Sequence, residues 1–597
     1  MVLSLSRPDL SPLPLKVQSG ARSYPQSRHN ASVFALNAEA MNLKPQLHKA
    51  LPAVIPMAIA TALFFELVFL NLVLQPADHS IHLRWVQQFF KALAEGVLYP
   101  RWAYASHGGL GDPTFFYYQP LFYYCTALVS FFTNDHVLSI KIISWLSNVA
   151  VGIITYFVFR NRLSGWKLWM AVLFVQALPL PFFLTTYLGT LPWAFATPFI
   201  ILFAVESTRD RPQVAKLGLW LSFVVFAHLL SAMMLLTSIG LAFGVGAILR
   251  GKIARQRAFR WGLGVGLGLL LSGIYLYPAL TQQALINPDG WVHNPTLDWR
   301  RAFAFPLYTY TIYGFRWFTV QWPVPLLIAL IAGAALVLNY KSANPDPTAR
   351  YLALFSLGAL FLSSELAYPL YEHVSALRKV QHPYRFTVPA SIFAAISLAL
   401  SIDKASSFKS FAFLGRHQHA VTKLIVLTPA VLSLILTVLF QIRLFSEGQD
   451  FPNLKQVMDG RFGQVEYHTA GRKDGWANYL DSGGWAGECK RLGLVCTEEK
   501  RATHSWSANV VSGTPQLVKL PLFNFPAWEA LINGQEISTQ TSPDEGLIQI
   551  ELPAGEHHVE IVWRKLPAEN YGIVLSVLGL LGLGFCHLKG SRSQVGL

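Results

Sequence analysis

Charged side chains are scarce in this sequence. Asp, Glu, Lys and Arg make up 13% of its 597 residues against 53% apolar residues, and the mean hydropathy is +0.38. Soluble globular chains carry roughly 25% charged residues, so a soluble protein is excluded and a polytopic membrane protein remains. Acidic groups are the scarcer sign, 32 against 47 basic ones, which gives a net charge of +15. In a soluble chain that excess would suggest nucleic acid. Here the Lys and Arg sit in short links between apolar runs, as the positive-inside rule produces, so no nucleic-acid partner is expected. Cysteine is rare as well: of the four, only Cys489 and Cys496 lie close together in a water-facing stretch, where a small disulfide loop and two free thiols are both open. An obvious internal repeat and paired half-helices are lacking too, which weighs against a transporter.

What is abundant is apolar sequence in helix-length runs. A transmembrane helix needs roughly 17 to 25 apolar residues, and such runs fall near 51–74, 137–159, 166–184, 191–205, 215–229, 231–249, 261–280, 322–340, 351–366, 387–402, 421–442 and 571–588. The basic links alternate with bare ones: Arg160, Arg162 and Lys167; Arg209, Arg211 and Lys216; Arg250, Lys252, Arg255, Arg257 and Arg260; Lys404, Lys409, Arg416 and Lys423. Cytoplasmic N- and C-termini satisfy that alternation, and Lys589 and Arg592 agree with it. The pair 215–229 and 231–249 must then reverse around His228 with almost no loop. Tyr117 to Phe132, starting at Pro120, reads as an aromatic helix lying at the outer interface. The first outer loop runs from about Gln75 to His136.

The polar segments complete the division. Residues 1–43 have no helical period and read as a disordered cytoplasmic tail with no signal-peptide pattern. Residues 44–442 form the transmembrane domain. Residues 443–570 end in alternating stretches, Leu547-Ile548-Gln549-Ile550-Glu551-Leu552 and His558-Val559-Glu560-Ile561-Val562-Trp563, with turn signals at Asn533-Gly534 and Pro553-Ala554-Gly555. That pattern makes a small antiparallel β domain, extracytoplasmic by parity, and 571–597 is its terminal helix and cytoplasmic tail. The fold class is therefore an all-α polytopic membrane protein of about twelve spans with a C-terminal β-sandwich, in a cytoplasmic (inner) membrane.

Three outer segments carry polar residues that topology does not explain. The first holds Asp78, His79, His82, Arg84, Arg101, His107 and Asp112; the second Asp289, His293, Asp298, Arg300, Arg301 and Arg316; the third runs from Leu377 through Arg378, Gln381, His382, Tyr384 and Arg385 to Phe386. Guanidinium groups hold phosphate in a bidentate fork, so Arg101, Arg378 and Arg385 suit a lipid-linked phosphate, against a bland reading of headgroup contact or local ion pairs. Asp78, His82, Trp85 and Phe89 share one helical face. The Asp78 carboxylate at that mouth suits a general base, or a ligand for a divalent cation such as Mg or Mn; its bland reading is a helix N-cap. A zinc site from His79, His82 and His107 lacks the i, i+4 histidine pair and any motif for a third ligand. Trp85, Trp102, Tyr104, Tyr117 and Tyr118 offer flat rings to a sugar or an isoprenoid chain, or an interfacial belt.

These same pieces carry a resemblance. Asp78 through His82, Gly96-Val97-Leu98-Tyr99-Pro100-Arg101-Trp102, Gly109-Leu110-Gly111-Asp112-Pro113 and Tyr117-Tyr118-Gln119-Pro120-Leu121 resemble the first outer loop of the bacterial membrane family labelled 6-pyruvoyl-tetrahydropterin synthase-related, a GT-C-like, YfhO-like glycosyltransferase relative. His228-Leu229-Leu230-Ser231, Gln381 to Phe386, Pro526-Ala527-Trp528 and Pro553 to His557 match as well. The resemblance implies a GT-C-like membrane domain and transfer of a sugar from a polyprenyl-phosphate donor to an envelope glycan, lipid or protein acceptor. It places the base or metal-holding role on Asp78; beside it the residues themselves offer His79 and His82 for catalysis and Arg101, Trp102, Asp112, Tyr118, Arg378, Gln381 and Arg385 for the substrate. A second acidic residue is not fixed by any motif. The pterin label itself is discounted, since such an enzyme is a soluble metal-dependent fold. A lipid or solute transporter and a non-catalytic envelope assembly protein are the alternatives.

Overall fold

The computed structural model describes residues 51–74, 77–250, 252–287, 298–305, 323–340, 342, 344–401, 418–459, 461, 463–464 and 467–595. The expected tail 1–43, the loop residues Asp289, His293 and Arg316, and the basic residues Lys404, Lys409 and Arg416 lie outside them.

Among the described residues, five helices are long and apolar enough to cross a bilayer: His136–Phe159, Gly165–Leu188, Pro383–Ser401, Thr428–Glu447 and Pro567–Cys586. A sixth forms if Arg255–Leu271 and Gly273–Thr281, bent by 81°, make one span. Shorter apolar helices among the described residues are Leu51–Leu63, Leu121–Thr133, Leu191–Ser207, Val214–Ala227, Leu229–Val245 and Val324–Tyr340, and the 351–366 run lies in helix Pro347–Ser363. Helices of this length and composition make the chain a membrane protein. Local chemistry shortens the rest. The 51–74 run breaks into a helix Phe65–Phe69 and a strand Leu72–Val73, with Asn71 at φ +61°. The 215–249 pair breaks at His228, whose extended backbone ends Val214–Ala227.

Helix Thr387–Ser401 is the centre of the bundle, with every side chain buried. Its small residues let neighbouring backbones approach, and hydroxyls then bridge them. Ser397 Oγ donates to Ala349 O at 2.6 Å, and Ser356 Oγ to Ala390 O at 2.9 Å. By contrast, only 17% of Thr428–Glu447 and of Pro567–Cys586 is buried, so these helices present their faces to lipid.

The C-terminal domain is a two-sheet antiparallel sandwich. One sheet orders Val495–Ala502, Ser505–Ser512, Gly555–Trp563, Trp528–Ile532 and Gln535–Ile537; the other orders Gln516–Phe523, Leu547–Leu552 and Gln540–Thr541. Alternation supplies its core: Trp506, Ala508 and Val510 from one strand meet Val559 and Ile561 of its neighbour and Ile548 and Ile550 of the facing sheet. A disulfide between Cys489 and Cys496 ties helix Gly484–Leu492 to the first strand.

The first long loop is the socket of this sandwich. Trp102 is fully buried, with its ring 5.3 Å from Trp528, 5.8 Å from Trp563 and 6.0 Å from Phe525. Gly111, at φ +77°, makes room for it, because a Cβ there would lie 2.0 Å from Trp102 Nε1. Arg101 pairs with Glu569 at the start of the last helix (2.8 Å, both nearly fully buried) and donates to Ile274 O. Glu95 accepts from Thr503 N and Oγ1, both at 2.7 Å. Asp112 accepts from Thr114 N at 3.0 Å and lies buried, fixing the turn into Thr114–Tyr117.

Candidate functional site

The helix Ala77–Ala94 starts where three segments converge. Leu72 and Val73 pair antiparallel with Asp450 and Gln449, and Leu74 N donates to Thr186 O at 3.0 Å, so the 184–190 turn lies against the helix start. His79 fixes that contact: its Nε2 meets Thr185 O at 2.8 Å. Gly189, at φ +71°, is required there, since a Cβ would come within 2.6 Å of His79 Nδ1 and 2.7 Å of its backbone N. His79 is thus fully buried in packing.

One turn on, His82 Nδ1 meets Tyr123 Oη at 2.7 Å in a nest of Trp85, Tyr118 and Phe122. Burial, helped by His79, holds its imidazole down to about 3, so it is neutral at ordinary pH. Tyr118 stacks edge-on to Trp85 at 4.7 Å, and Tyr467 closes the same nest 6.2 Å from Trp85. Asp78 lies at the partly open end of this face. Burial lifts its carboxyl from 3.8 to about 6, and the opposing charge is Arg385, which pulls it back down.

Arg385 comes from a 3-10 turn, Pro383–Phe386, that leads into the central helix. Proline at its start pre-sets the turn, and Tyr384 N donates to Ala302 O at 2.9 Å to anchor it. Arg385 Nη1 donates to Val380 O and to Gln381 Oε1, both at 2.9 Å, while its buried Nε has no hydrogen-bond partner among the described residues. Gln381 holds this position from a left-handed backbone, φ +67°, a conformation that costs a non-glycine residue energy and concentrates at working sites. The guanidinium lies 5.8 Å from the ring of Trp193, which stacks on His228 at 5.4 Å and 11°. His228 Nδ1 accepts from Ser231 N at 3.1 Å, so its proton sits on Nε2. Arg385 and His82 both act electrostatically on this ring.

The structure therefore brings together Asp78, His82, Tyr118, Gln381 and Arg385 of the residues singled out from sequence, and adds Trp193, Tyr384, His228 and Tyr467. It does not bring Arg101, Trp102 or Asp112 there; they hold the sandwich to the loop. Arg378 is spent on carbonyls, donating from Nε to Tyr371 O at 2.7 Å and from Nη2 to Glu372 O, because helix Tyr368–His373 ends with unpaired carbonyl groups. Asp298 caps Trp299–Arg301 and pairs with Arg300. Trp193 and His228 carried one signal in sequence, a polar or amphipathic ring inside an apolar run.

Of the three histidines of a zinc reading, His107 lies apart from His79 and His82. His107 meets His468 edge to face at 4.7 Å, and Trp476 and Phe523 in the same way at 5.3 Å each, under the sandwich, where burial and then His468 and Arg472 press its imidazole down to about 2. Among the described residues no group of three or more His, Cys, Asp or Glu is placed to hold a metal ion.

No family model matches the chain, and no curated protein matches it. Among solved structures it aligns with the arabinofuranosyltransferase AftD from mycobacteria at 12% identity and a TM-score of 0.41, over 87% of this chain and 40% of that one. The chain thus spans about two fifths of that protein's length, and a likeness at this level carries no argument about fold or activity. What the coordinates themselves define is a helical membrane protein with a β-sandwich docked on the loop that follows its first apolar helix.

Proposed function

We propose that this chain is a membrane glycosyltransferase that moves a sugar from a polyprenyl-phosphate donor to an envelope acceptor at the outer face of the cytoplasmic membrane. The observation that carries the reading is the Asp78 carboxyl, lifted to about 6 by burial, within electrostatic reach of Arg385, whose buried Nε has no hydrogen-bond partner among the described residues. The disulfide in the sandwich supports an oxidising compartment on that side.

In this reading ionised Asp78 takes the proton of an acceptor hydroxyl as its oxygen forms a bond to the anomeric carbon, and the carbon–oxygen bond to the donor phosphate breaks. A base with a pKa near the working pH suits that step. The charge that develops on the departing phosphate faces Arg385 and the Nε2–H of His228, fixed donors that need no reorganisation. Tyr118, Trp85 and Tyr467 supply flat faces for the sugar. No step is routed through a cation.

The test is transfer by purified Asp78→Asn and Arg385→Gln proteins in bilayers supplied with radiolabelled lipid-linked sugar. Loss of at least about a hundredfold in rate is expected for each, with expression and membrane insertion unchanged. Full activity of Asp78→Asn would end the proposal.

A further inference from the structure

The span Gly165–Leu188 is broken halfway along its length. Its first helix ends at Gln176, Leu178 takes an extended backbone with φ −61° and ψ 131°, and a second helix starts at Pro179 and passes into a π-turn, Leu184–Leu188. A break inside a span leaves carbonyl groups without an intrahelical partner, and π-turns recur at working sites. Two prolines deepen the imbalance here. Pro179 has no N–H to offer the carbonyl of Val175 four residues earlier, and Pro181 has none for that of Ala177. The Ala177 carbonyl is taken instead by Thr437 Oγ1 at 2.8 Å. The second helix thus presents few of the N–H donors that a helix start usually offers.

A cavity of about 400 Å³ lies at this break, between the broken span and the His136–Phe159 and Leu191–Ser207 helices. Val175, Gln176, Ser144, Ser147 and Thr197 line it, and among the described residues that line it none is charged. Its amide N–H groups are already engaged. Gln176 Nε2 donates to Pro56 O at 2.7 Å and to Asn148 Oδ1 at 2.9 Å, and Asn148 Nδ2 donates to Gln176 O at 3.2 Å. Oxygens are left over: Gln176 Oε1 and Thr197 Oγ1 are buried with no hydrogen-bond partner among the described residues. Gly152 makes room for the first of them, because a Cβ there would lie 2.3 Å from Gln176 Oε1.

We propose that this cavity is a binding site for an alkali-metal cation, held by Gln176 Oε1, Thr197 Oγ1, the Val175 carbonyl and the Ser144 hydroxyl. The surplus of neutral oxygens decides the class of ligand. An acyl chain would strand them in hydrocarbon, an anion would find the amide N–H groups spent, and a divalent ion draws on carboxylates that the lining does not supply. The C-terminal end of the first helix adds about half a negative charge, and in transporters such half-helix ends with unwound carbonyls hold sodium. The site does not depend on Asp78 or on sugar transfer.

The test is equilibrium binding of radioactive sodium to the full-length protein in detergent, with ionic strength held constant by choline chloride. Saturable binding of about one ion per chain is expected, and saturating sodium should raise the thermal unfolding midpoint by about 2 °C over choline. Thr197→Val keeps the side-chain shape and removes the hydroxyl, so it should weaken sodium binding at least about tenfold and abolish the sodium-dependent shift, with its midpoint in choline chloride unchanged. Ser144→Ala, on a different helix, should weaken binding in the same direction. Absence of saturable binding, meaning that water alone fills the cavity, or undiminished binding by folded Thr197→Val and Ser144→Ala proteins would overturn the assignment.

Discussion

Asp78 sits at a position where folding and chemistry want opposite protonation states. Its carboxyl rises from 3.8 to about 6 on folding, chiefly because burial penalises the charge. The folded state therefore gains from the protonated form; that contribution is complete below pH 3.8 and is lost as pH climbs through about 6. An amide never pays it. Asp78→Asn is expected to raise stability at pH 7.5 by about 1–2 kcal/mol, read as a higher unfolding midpoint, in the same protein that has lost transfer. Activity should follow the opposite limb, rising about tenfold per pH unit below 6 and levelling above it. A flat rate profile from pH 5 to 8 would remove the base role. His228→Gln keeps an N–H donor but not the imidazole stack on Trp193, and transfer should fall about tenfold with little change in acceptor affinity.

At the scale of elements, the docked loop is the joint on which the sandwich depends. The Arg101–Glu569 pair is nearly fully buried, 2.8 Å between charged atoms, and Arg101 also lies 3.8 Å from the face of Tyr99. Removing one charge strands the other, so Arg101→Met alone should cost about 3–5 kcal/mol, whereas Arg101→Met with Glu569→Met should recover most of it. Denaturant unfolding followed by tryptophan fluorescence reads this directly, because Trp102, Trp528 and Trp563 form one cluster in the joint. Gly111→Ala should loosen the same joint, since its Cβ meets Trp102 backed by three other rings. The sequence had presented this loop as the binding surface. Guanidinium, indole and carboxylate are residue types that serve equally in a substrate pocket and in a buried joint, and only the partner strands decide between them.

For the whole molecule, the orientation of the bundle carries the proposal. If the sandwich faces outward, Glu556→Cys on its exposed edge should react with a membrane-impermeant thiol reagent in intact cells, and Arg162→Cys in the basic link should react only after lysis. The opposite pattern would put Asp78 on the wrong side of the membrane. Breaking the Cys489–Cys496 bridge with two serines should lower the stability of the sandwich by about 2 kcal/mol, the lesser end of the range because the closed loop is short.

Composition and pattern determined the coarse plan. Apolar runs in a charge-poor chain must lie in lipid, and period-two alternation at 547–563 must form strands, because burial of apolar area and backbone hydrogen bonding leave no other economical state. Tertiary structure decided the rest. Where the apolar runs break into shorter helices was set locally at Asn71, His228 and the 81° bend, where backbone geometry overrides hydropathy. Which guanidinium faces Asp78 was set by a proline turn and a left-handed Gln381 that aim Arg385 inward while Arg378, seven residues earlier, is consumed by carbonyl groups. Direction and partner are properties of the folded chain, since side chains of one type differ only in what the fold places around them.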